Sequence, residues 1–303
     1  MSKCKGCGIT IQNIDKNKLG YSPKIDGKLC KRCFEITNYN FHEKESKIID
    51  NNQIINGINN KKCATMFLCD VLNLNSQMME IYNVINNPKI LVITKADIIP
   101  KNLNLNLLAE NIKRIYHIKD LIFMSSLSGY GKSKVLKYLT DHQKVVFAGP
   151  TSSGKSSLIN YLFNLKLTVS NHKNTTQEFI NLSVDGNEII DAPGFNEDFL
   201  LDNVKQNGFI KPRTISISKE FCLCVGDLEF YADRDINVTL FFPKNLLINT
   251  KKAKKEFANA IKIPKQSDLV VNNLGFIYFK EEANIKINDN NYLEVRESII
   301  GGK

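Results

Sequence analysis

Continuous apolar runs and stretches with apolar residues at helical spacing alternate along residues 63–191. The continuous runs favour buried strands, and the helical spacing favours amphipathic helices between them. Because such strands alternate with helices, the pattern predicts a mostly parallel sheet with helices on both faces. The predicted strands are 64–71, 89–94, 121–125, 145–148, 179–184 and 188–191, and the predicted helices are 78–85, 103–115, 133–140 and one that follows residue 156.

The pattern changes beyond residue 199 into short β-like runs separated by polar turns. One stretch there, 251–261, has helical spacing. The mixture predicts a separate C-terminal α+β domain. The β-like runs are 214–218, 228–231, 236–242, 275–279 and 283–287.

Four segments follow from these changes of pattern. We expect a small cysteine-containing module at 1–45, a polar linker with some helical character at 46–62, the α/β core at 63–200, and the β-rich domain at 201–303. The first module is too small to bury a core of its own, so a bound metal would supply much of its folding free energy.

The net charge of +10 indicates an anionic partner, and RNA is the one we expect. A basic surface that serves only solubility is the alternative. Apolar runs stay far below the ~20 residues of a membrane helix, and the first residues have no apolar signal core. We therefore expect a cytoplasmic protein that does not associate with membranes.

The eight cysteines form two sets. Two C-x-x-C pairs lie 22 residues apart and can close a tetrahedral zinc site without an open position, so the metal would be structural. Disulfide bonds are the alternative, which a reducing cytosol disfavours. The predicted zinc ligands are Cys4, Cys7, Cys30 and Cys33, and we interpret Cys63, Cys69, Cys222 and Cys224 as packing residues.

Residues 149–156 read G-x-x-x-x-G-K-S, between an apolar run and an amphipathic stretch. A strand, a glycine-rich loop and a helix in that order are typical of a phosphate-binding P-loop. Lys155 would reach the β- and γ-phosphates, and the Ser156 hydroxyl would hold Mg²⁺. The loop residues expected to contact a nucleotide are Thr151, Ser152, Ser153, Gly154, Lys155, Ser156 and Ser157.

A predicted strand ends in Thr94-Lys95-Ala96-Asp97, which resembles the N-K-x-D guanine motif of GTPases. The Asp97 carboxylate could accept hydrogen bonds from N1–H and the exocyclic amine of guanine, and adenine lacks both donors. The stem of Lys95 could lie along the base. An ordinary strand end with a helix cap is the alternative.

Two further motifs resemble parts of a GTPase site. Ser125, Ser126 and Leu127 resemble the loop whose backbone meets guanine O6, although serine-rich turns are common. The segment 191–194 reads D-x-P-G, in which Asp191 would hold Mg²⁺ through water and the Gly194 N–H would sense the γ-phosphate.

A switch threonine that coordinates Mg²⁺ and closes over the γ-phosphate is expected in the polar loop after the P-loop helix. We favour Thr176, with Thr175 as the alternative and a turn hydroxyl as the structural explanation for either residue. The catalytic set predicted from these motifs is Lys155, Thr176 and Gly194.

The base motifs precede the phosphate motifs, the reverse of the usual order. Together with the N-terminal cysteines, this order resembles the YqeH-type circularly permuted GTPases, which act in bacterial small-subunit ribosome assembly. The resemblance implies a circularly permuted P-loop GTPase domain between a zinc finger and a C-terminal β-rich domain that binds RNA or the ribosome. It further implies a GTPase that uses GTP, Mg²⁺ and Zn²⁺ and binds the 30S subunit or its rRNA. We expect a monomer that does not bind DNA.

Two departures from that family, at Thr94 and Ser152, and one residue that agrees with it, Phe195, shape our expectations. Thr94 replaces the usual Asn that links the base loop to the P-loop, which predicts a lower nucleotide affinity, while Asp97 keeps the choice of guanine. Ser152 replaces an Asn that helps to hold K⁺, so activation by K⁺ is in doubt. Phe195 stands where Ras-like enzymes have a water-orienting Gln, which predicts slow intrinsic hydrolysis and stimulation by a ribosomal partner.

The tentative RNA contacts are Lys251, Lys252, Lys254 and Lys255, on the stretch predicted to be helical. A solvated helix face is the alternative, and Lys31 with Arg32 is a second candidate. The competing function is a zinc-dependent RNA-binding protein whose nucleotide switch is slow or inactive. An ATPase is a third possibility, which Asp97 argues against.

Overall fold

The computed structural model describes most of the chain as two compact units. The first unit comprises residues 1–70, 77–96 and 120–197, and the second comprises 71–76, 97–119 and 198–303. This division differs from the predicted boundaries at residues 45, 62 and 200, which stay predictions. The described residues are 2–5, 10–16, 20–24, 27–31, 33–34, 50–151, 153–164, 179–184, 186–196, 209–253, 259–289, 291 and 293–301.

The first unit contains a six-stranded sheet. Its strands are β1 (Ala64–Asp70), β2 (Lys89–Thr94), β3 (Leu121–Phe123), β4 (Lys144–Ala148), β5 (Ile180–Val184) and β6 (Asn187–Asp191). They lie in the order β3-β2-β1-β4-β6-β5, and all neighbours are parallel except β5 and β6. The predicted mostly parallel sheet is therefore confirmed.

Five helices and one 3₁₀ turn are described. They are α1 (Asn51–Asn60), α2 (Ser76–Val84), the 3₁₀ turn Ala96–Ile98, α3 (Leu105–Tyr116), α4 (Lys132–His142) and α5 (Lys155–Phe163). The segment predicted as a linker with helical character contains α1, which begins after an Asp50 cap and buries Ile54 and Ile58. None of the helices in the described ranges is long and apolar enough to span a membrane.

The strand order confirms the circular permutation. The strand that leads into the P-loop, β4, lies in the middle of the sheet, between β1 and β6. Strands β1, β2 and β3 precede it in the chain and form one half of the sheet, whereas β5 and β6 follow it and form the other half. The base motifs follow β2 and β3, the phosphate motifs follow β4 and β6, and β1 lies between the two pairs. All of them thus lie at the carboxyl ends of parallel strands, where open α/β sheets bind ligands.

The second unit contains two five-stranded antiparallel sheets, ordered β16-β13-β14-β10-β7 and β11-β8-β9-β15-β12. Apolar residues of both sheets form one hydrophobic cluster, so the two sheets share a core. The strands are β7 (Arg213–Ile217), β8 (Phe221–Val225), β9 (Leu228–Ala232), β10 (Ile236–Phe241), β11 (Ile248–Lys252), β12 (Asn259–Ile263), β13 (Ser267–Val271), β14 (Gly275–Phe279), β15 (Ala283–Ile287) and β16 (Leu293–Glu297).

The helix predicted over 251–261 is wrong at both of its described ends. Lys251 and Lys252 lie on β11 and pair with β8, and Ile261 lies on β12 and pairs with β15. Ladder hydrogen bonds to distant strands override the local helical spacing. Because side chains alternate along a strand, Lys251 and Lys252 extend from opposite faces of an edge strand. Lys254 and Lys255 lie outside the described residues.

A buried ionic network links one sheet of the second unit, through β13 and β16, to residues 71–76 and α3. The Arg296 guanidinium donates to the Leu74 carbonyl, to the Tyr116 hydroxyl over 2.8 Å, and to Asp268 over 3.3 Å. Asp268 also accepts from the Ile299 N–H over 3.0 Å. Burial raises the pKa of the Asp268 carboxyl, and the Arg296 charge acts in the opposite direction.

Candidate functional site

The glycine loop after β4 has the backbone geometry that its motif predicts. Gly149 has φ +145°, and a Cβ there would lie 2.0 Å from the Leu68 carbonyl oxygen, so a larger residue would collide with β1. Gly154 has φ +88° and immediately precedes α5. The loop thus joins a buried strand to a helix N-terminus, which is the arrangement that binds phosphate in P-loops.

The P-loop lysine is held inside the loop. Lys155 is 7% exposed, and its Nζ donates to the carbonyls of Gly149 and Pro150 over 2.9 Å each. Its ammonium group is therefore already directed toward the concave side of the loop, where the motif predicts a phosphate.

The two predicted Mg²⁺ ligands that the structure describes are close together. The Ser156 hydroxyl, at the start of α5, lies 3.4 Å from Oδ2 of Asp191, at the end of β6. Asp191 is buried. A hydroxyl and a carboxylate beside a phosphate loop are the hard oxygen ligands that Mg²⁺ prefers, so these residues fit that ion.

The D-x-P-G segment is hydrogen-bonded directly to the P-loop. The Phe195 N–H donates to the Gly149 carbonyl over 3.1 Å, and the Phe195 carbonyl accepts from the Thr151 N–H over 3.1 Å. The Thr151 hydroxyl also donates to the Phe195 carbonyl, over 3.2 Å. A Cβ on Gly194 would lie 2.7 Å from this hydroxyl, so only glycine allows so close an approach.

The side chain of Phe195 belongs to the core. It is fully buried and stacks on Phe67, with ring centroids 5.9 Å apart. Phe67 in turn makes an edge contact with Tyr82, whose pKa burial raises to about 12, so that its phenol stays neutral. At this position, where Ras-like enzymes have a Gln, the chain therefore has an anchoring residue, which has no polar group to orient a water.

A direct hydrogen bond links the first base motif to the P-loop. The Thr94 hydroxyl donates to the Ser153 carbonyl over 2.6 Å, and both residues are buried. The expected lower nucleotide affinity stays a prediction, but a link to the P-loop is present, because the Thr94 hydroxyl supplies a donor. Sequence comparison with the N-K-x-D motif missed this because it compares residue types and not donor positions.

Lys95 forms an ion pair that the sequence did not predict. Its Nζ lies 2.6 Å from Oδ2 of Asp70, which is fully buried at the end of β1. Asp70 and Thr94 are partners in the parallel β1–β2 register, which explains the proximity. A carboxylate at the end of an otherwise apolar strand was the signal that could have identified Asp70.

The second base motif forms a compact turn beside the first. Ser125 is buried, and its hydroxyl accepts from the N–H groups of Leu127 and Ser128 over 3.2 and 3.1 Å. The Ala96 N–H donates to the Met124 carbonyl, which ties the two motifs together. Ser126 is half-buried and Leu127 is exposed.

The remaining predicted site residues divide into two groups. Asp97 lies on the 3₁₀ turn Ala96–Ile98 directly after β2, and Ser157 lies on α5. The residues outside the described part of the chain are Cys7, Arg32, Ser152, Thr175, Thr176, Lys254 and Lys255, and their predicted roles stay predictions.

Three of the four predicted zinc ligands cluster. The sulfurs of Cys4, Cys30 and Cys33 all lie within 4.8 Å of one another and are buried. The Cys30 N–H donates to the Cys4 sulfur over 3.2 Å, which ties the two cysteines together. A buried group of thiols of this size fits a structural zinc site. Of the other cysteines, Cys69, Cys222 and Cys224 are buried and Cys63 is half-buried.

Two of the solved structures to which the chain is similar are weak matches. The crystal structure of YjeQ from Thermotoga maritima matches with a TM-score of 0.35 and 24% identity, over 44% of this chain and 48% of that one. The crystal structure of GNP-bound YlqF from T. maritima matches with a TM-score of 0.33 and 17% identity, over 50% and 60%. The assignment below does not depend on either.

Sequence relatives are more informative. "Uncharacterized protein YqeH" from Bacillus subtilis is 28% identical over 294 residues, covering 85% of this chain and 79% of that protein. "Small ribosomal subunit biogenesis GTPase RsgA" from Histophilus somni is 29% identical over 141 residues, covering 41% of this chain and 39% of that protein.

Two family models match the chain. The model described as 50S ribosome-binding GTPase matches residues 144–274, and the model described as RsgA GTPase matches residues 47–200. The second match covers just over half of the 303 residues, and it includes the P-loop, both base motifs and the D-x-P-G segment. The chain therefore belongs to the RsgA GTPase family and is an enzyme that hydrolyses GTP.

Proposed function

We propose that this GTPase assists the assembly of the small (30S) ribosomal subunit and binds RNA through its cysteine module and its C-terminal domain. The observation that carries the nucleotide part is the Thr94–Ser153 hydrogen bond, which joins a base motif to a phosphate motif 59 residues away in the chain. The ribosomal part is supported by the relative named as a small ribosomal subunit biogenesis GTPase and by the net charge of +10.

In this proposal the P-loop binds the phosphates of GTP and the base motifs bind its guanine. The loop N–H groups and Lys155 would hold the phosphates. Ser156 and Thr176, with Asp191 through water, would hold Mg²⁺, which would supply charge neutralisation at the phosphates. Asp97 selects guanine, while Asp70 keeps the ammonium group of Lys95 away from the base plane. The Gly194 N–H contacts the γ-phosphate.

Hydrolysis by the isolated protein should be slow. Phosphoryl transfer needs a positioned water, and Phe195 is a buried core residue with no polar group to position one. We propose that the 30S subunit completes the site, either by supplying a polar group or by fixing the segment that contains Gly194.

The cysteine module and the C-terminal domain would provide the RNA contacts. Zinc on the four cysteines would fold the module and present Lys31 and Arg32. On β11, Lys251 and Lys252 are both exposed, but Lys251 already pairs with Glu229, so Lys252 is the stronger of these two candidates for a phosphate contact. Phosphate contacts of this kind weaken as salt rises.

The test is steady-state turnover of GTP and ATP, each with and without purified 30S or 50S subunits, in K⁺ and in Na⁺. We expect turnover of GTP alone, below about 1 s⁻¹ without ribosomes as in other intrinsically slow GTPases, and stimulation by 30S subunits only. A Lys155→Ala variant controls for contaminating nucleotidases.

Equal stimulation by 50S subunits, or no co-sedimentation with 30S subunits at low salt, would contradict the ribosomal assignment. Failure of the chain to bind GTP would favour the competing zinc-dependent RNA-binding protein. Comparison of the turnover rates in K⁺ and in Na⁺ tests whether K⁺ activates the enzyme although Ser152 replaces the usual Asn.

A further inference from the structure

Helix α1 lies outside every predicted nucleotide motif, yet its first residue is bonded to the D-x-P-G region. The Asn51 side-chain amide donates to the Asn196 carbonyl over 3.0 Å, and its Oδ1 accepts from the Asn196 N–H over 2.9 Å. One side chain thus pairs with both polar groups of one residue, as a neighbouring strand would.

Asn196 occupies a critical place in the chain. It comes two residues after Gly194 and directly after Phe195, whose own backbone is bridged to the P-loop at Pro150. The segment from Gly194 to Asn196 is therefore held from two sides, by the P-loop and by Asn51. These two sets of hydrogen bonds restrict the backbone around Gly194, whose N–H is the expected contact to the γ-phosphate.

The helix that carries Asn51 is itself fixed. Ile54 and Ile58 are buried, and a Cβ on Gly57 would lie 2.5 Å from the ring of Phe179, directly before β5. The Lys61 ammonium lies 5.1 Å from the centroid of the same ring. Asn51 is thus presented by a helix that is packed on the GTPase unit.

We propose that Asn51 is a positioning residue for GTP hydrolysis, acting through the backbone of Asn196 on Gly194. The inference rests on the proposed role of Gly194 at the γ-phosphate. Rates of phosphoryl transfer depend on placing such donors to within fractions of an ångström, because they stabilise charge that develops in the transition state. Asn51 supplies that precision from outside the nucleotide motifs.

The experiment compares full-length Asn51→Ala with Asn52→Ala, its neighbour on the same helix. Both variants replace Asn by the better helix former Ala, so neither weakens α1 through helix propensity. Asn52 is exposed, so Asn52→Ala controls for the effect of replacing an Asn by Ala on this helix. Asn51→Asp keeps the acceptor for the Asn196 N–H and removes the donor.

The readouts are the single-turnover rate constant for GTP hydrolysis, the GDP dissociation constant and the melting temperature, all without ribosomes. We expect Asn51→Ala to slow hydrolysis about tenfold, the effect of losing one or two hydrogen bonds. Asn51→Asp should lie between Asn51→Ala and the wild type. GDP affinity should stay within about twofold, because GDP has no γ-phosphate for the Gly194 N–H to contact.

Equal hydrolysis rates for Asn51→Ala and Asn52→Ala would overturn the proposal. So would a slower rate accompanied by a matching loss of GDP affinity and melting temperature, since that is the result of a merely structural contact. Because no ribosomal subunit is used, failure of the 30S assignment would leave this result interpretable.

Discussion

The Thr94 hydroxyl donates a hydrogen bond to the Ser153 carbonyl over 2.6 Å and so joins the base motif to the P-loop. Threonine therefore performs at this position the linking role that an Asn side chain has in the usual N-K-x-D motif. The link lies in the interior of the first unit, and both residues are buried. This contact makes the nucleotide site sensitive to a change that leaves the charged motif residues intact.

Replacing Thr94 by Val should weaken nucleotide binding. Val has nearly the shape of Thr but no donor, and it leaves the buried Ser153 carbonyl unsatisfied, at a cost of about 1–3 kcal/mol. We expect the dissociation constant for fluorescent GDP to rise by about one order of magnitude. Thr94→Ser keeps the hydroxyl and should bind like the wild type, whereas equal weakening in both variants would show that shape, and not the donor, matters.

Replacing Asp97 by Asn should change base selection. The Asn amide can donate to the 2-carbonyl of xanthine but cannot accept from both donors of guanine. We expect affinity for GTP to fall by about a hundredfold or more, and xanthosine triphosphate to bind better than GTP. Competition against fluorescent GDP measures both affinities, with Asp120→Asn as an exposed control. Unchanged GTP affinity would refute the assigned role of Asp97.

Removing the acid from the buried network of the second unit should be strongly destabilising. Asp268→Ala leaves the Arg296 guanidinium buried without its carboxylate, which costs about 3–5 kcal/mol. Glu297→Ala, which removes the exposed pair with Arg114, should cost less than about 1 kcal/mol. Chemical unfolding followed by circular dichroism measures both, and similar losses in the two variants would contradict the difference in burial.

The cysteine module should hold about one zinc ion per chain, as a closed four-thiolate site does. Cys33→Ser should lose the metal, because one of the clustered thiols is removed. Cys63→Ser changes a half-buried cysteine outside the cluster and should keep it. Metal analysis of the purified proteins tests this, and a mass consistent with disulfide bonds in metal-free wild-type protein would contradict it.

The hydrophobic pattern and the motif spacing of the sequence were sufficient to predict the parallel sheet of the first unit and most of its motifs. Continuous apolar runs identified strands such as β2, because a buried parallel strand must be apolar on both faces. Motif spacing identified the P-loop because its backbone geometry depends on glycines at Gly149 and Gly154. The permutation followed from the order of motifs alone.

Contacts between segments that are distant in the chain determined the features that the sequence did not predict. Lys251 lies on a strand and not on a helix because its segment pairs with β8 in an antiparallel ladder. Asp70 meets Lys95, and Asn51 meets Asn196, because the sheet and α1 bring together residues 25 and 145 positions apart. Hydrogen bonds and ion pairs of this kind depend on where folded elements meet, and the periodicity of one segment carries no information about that.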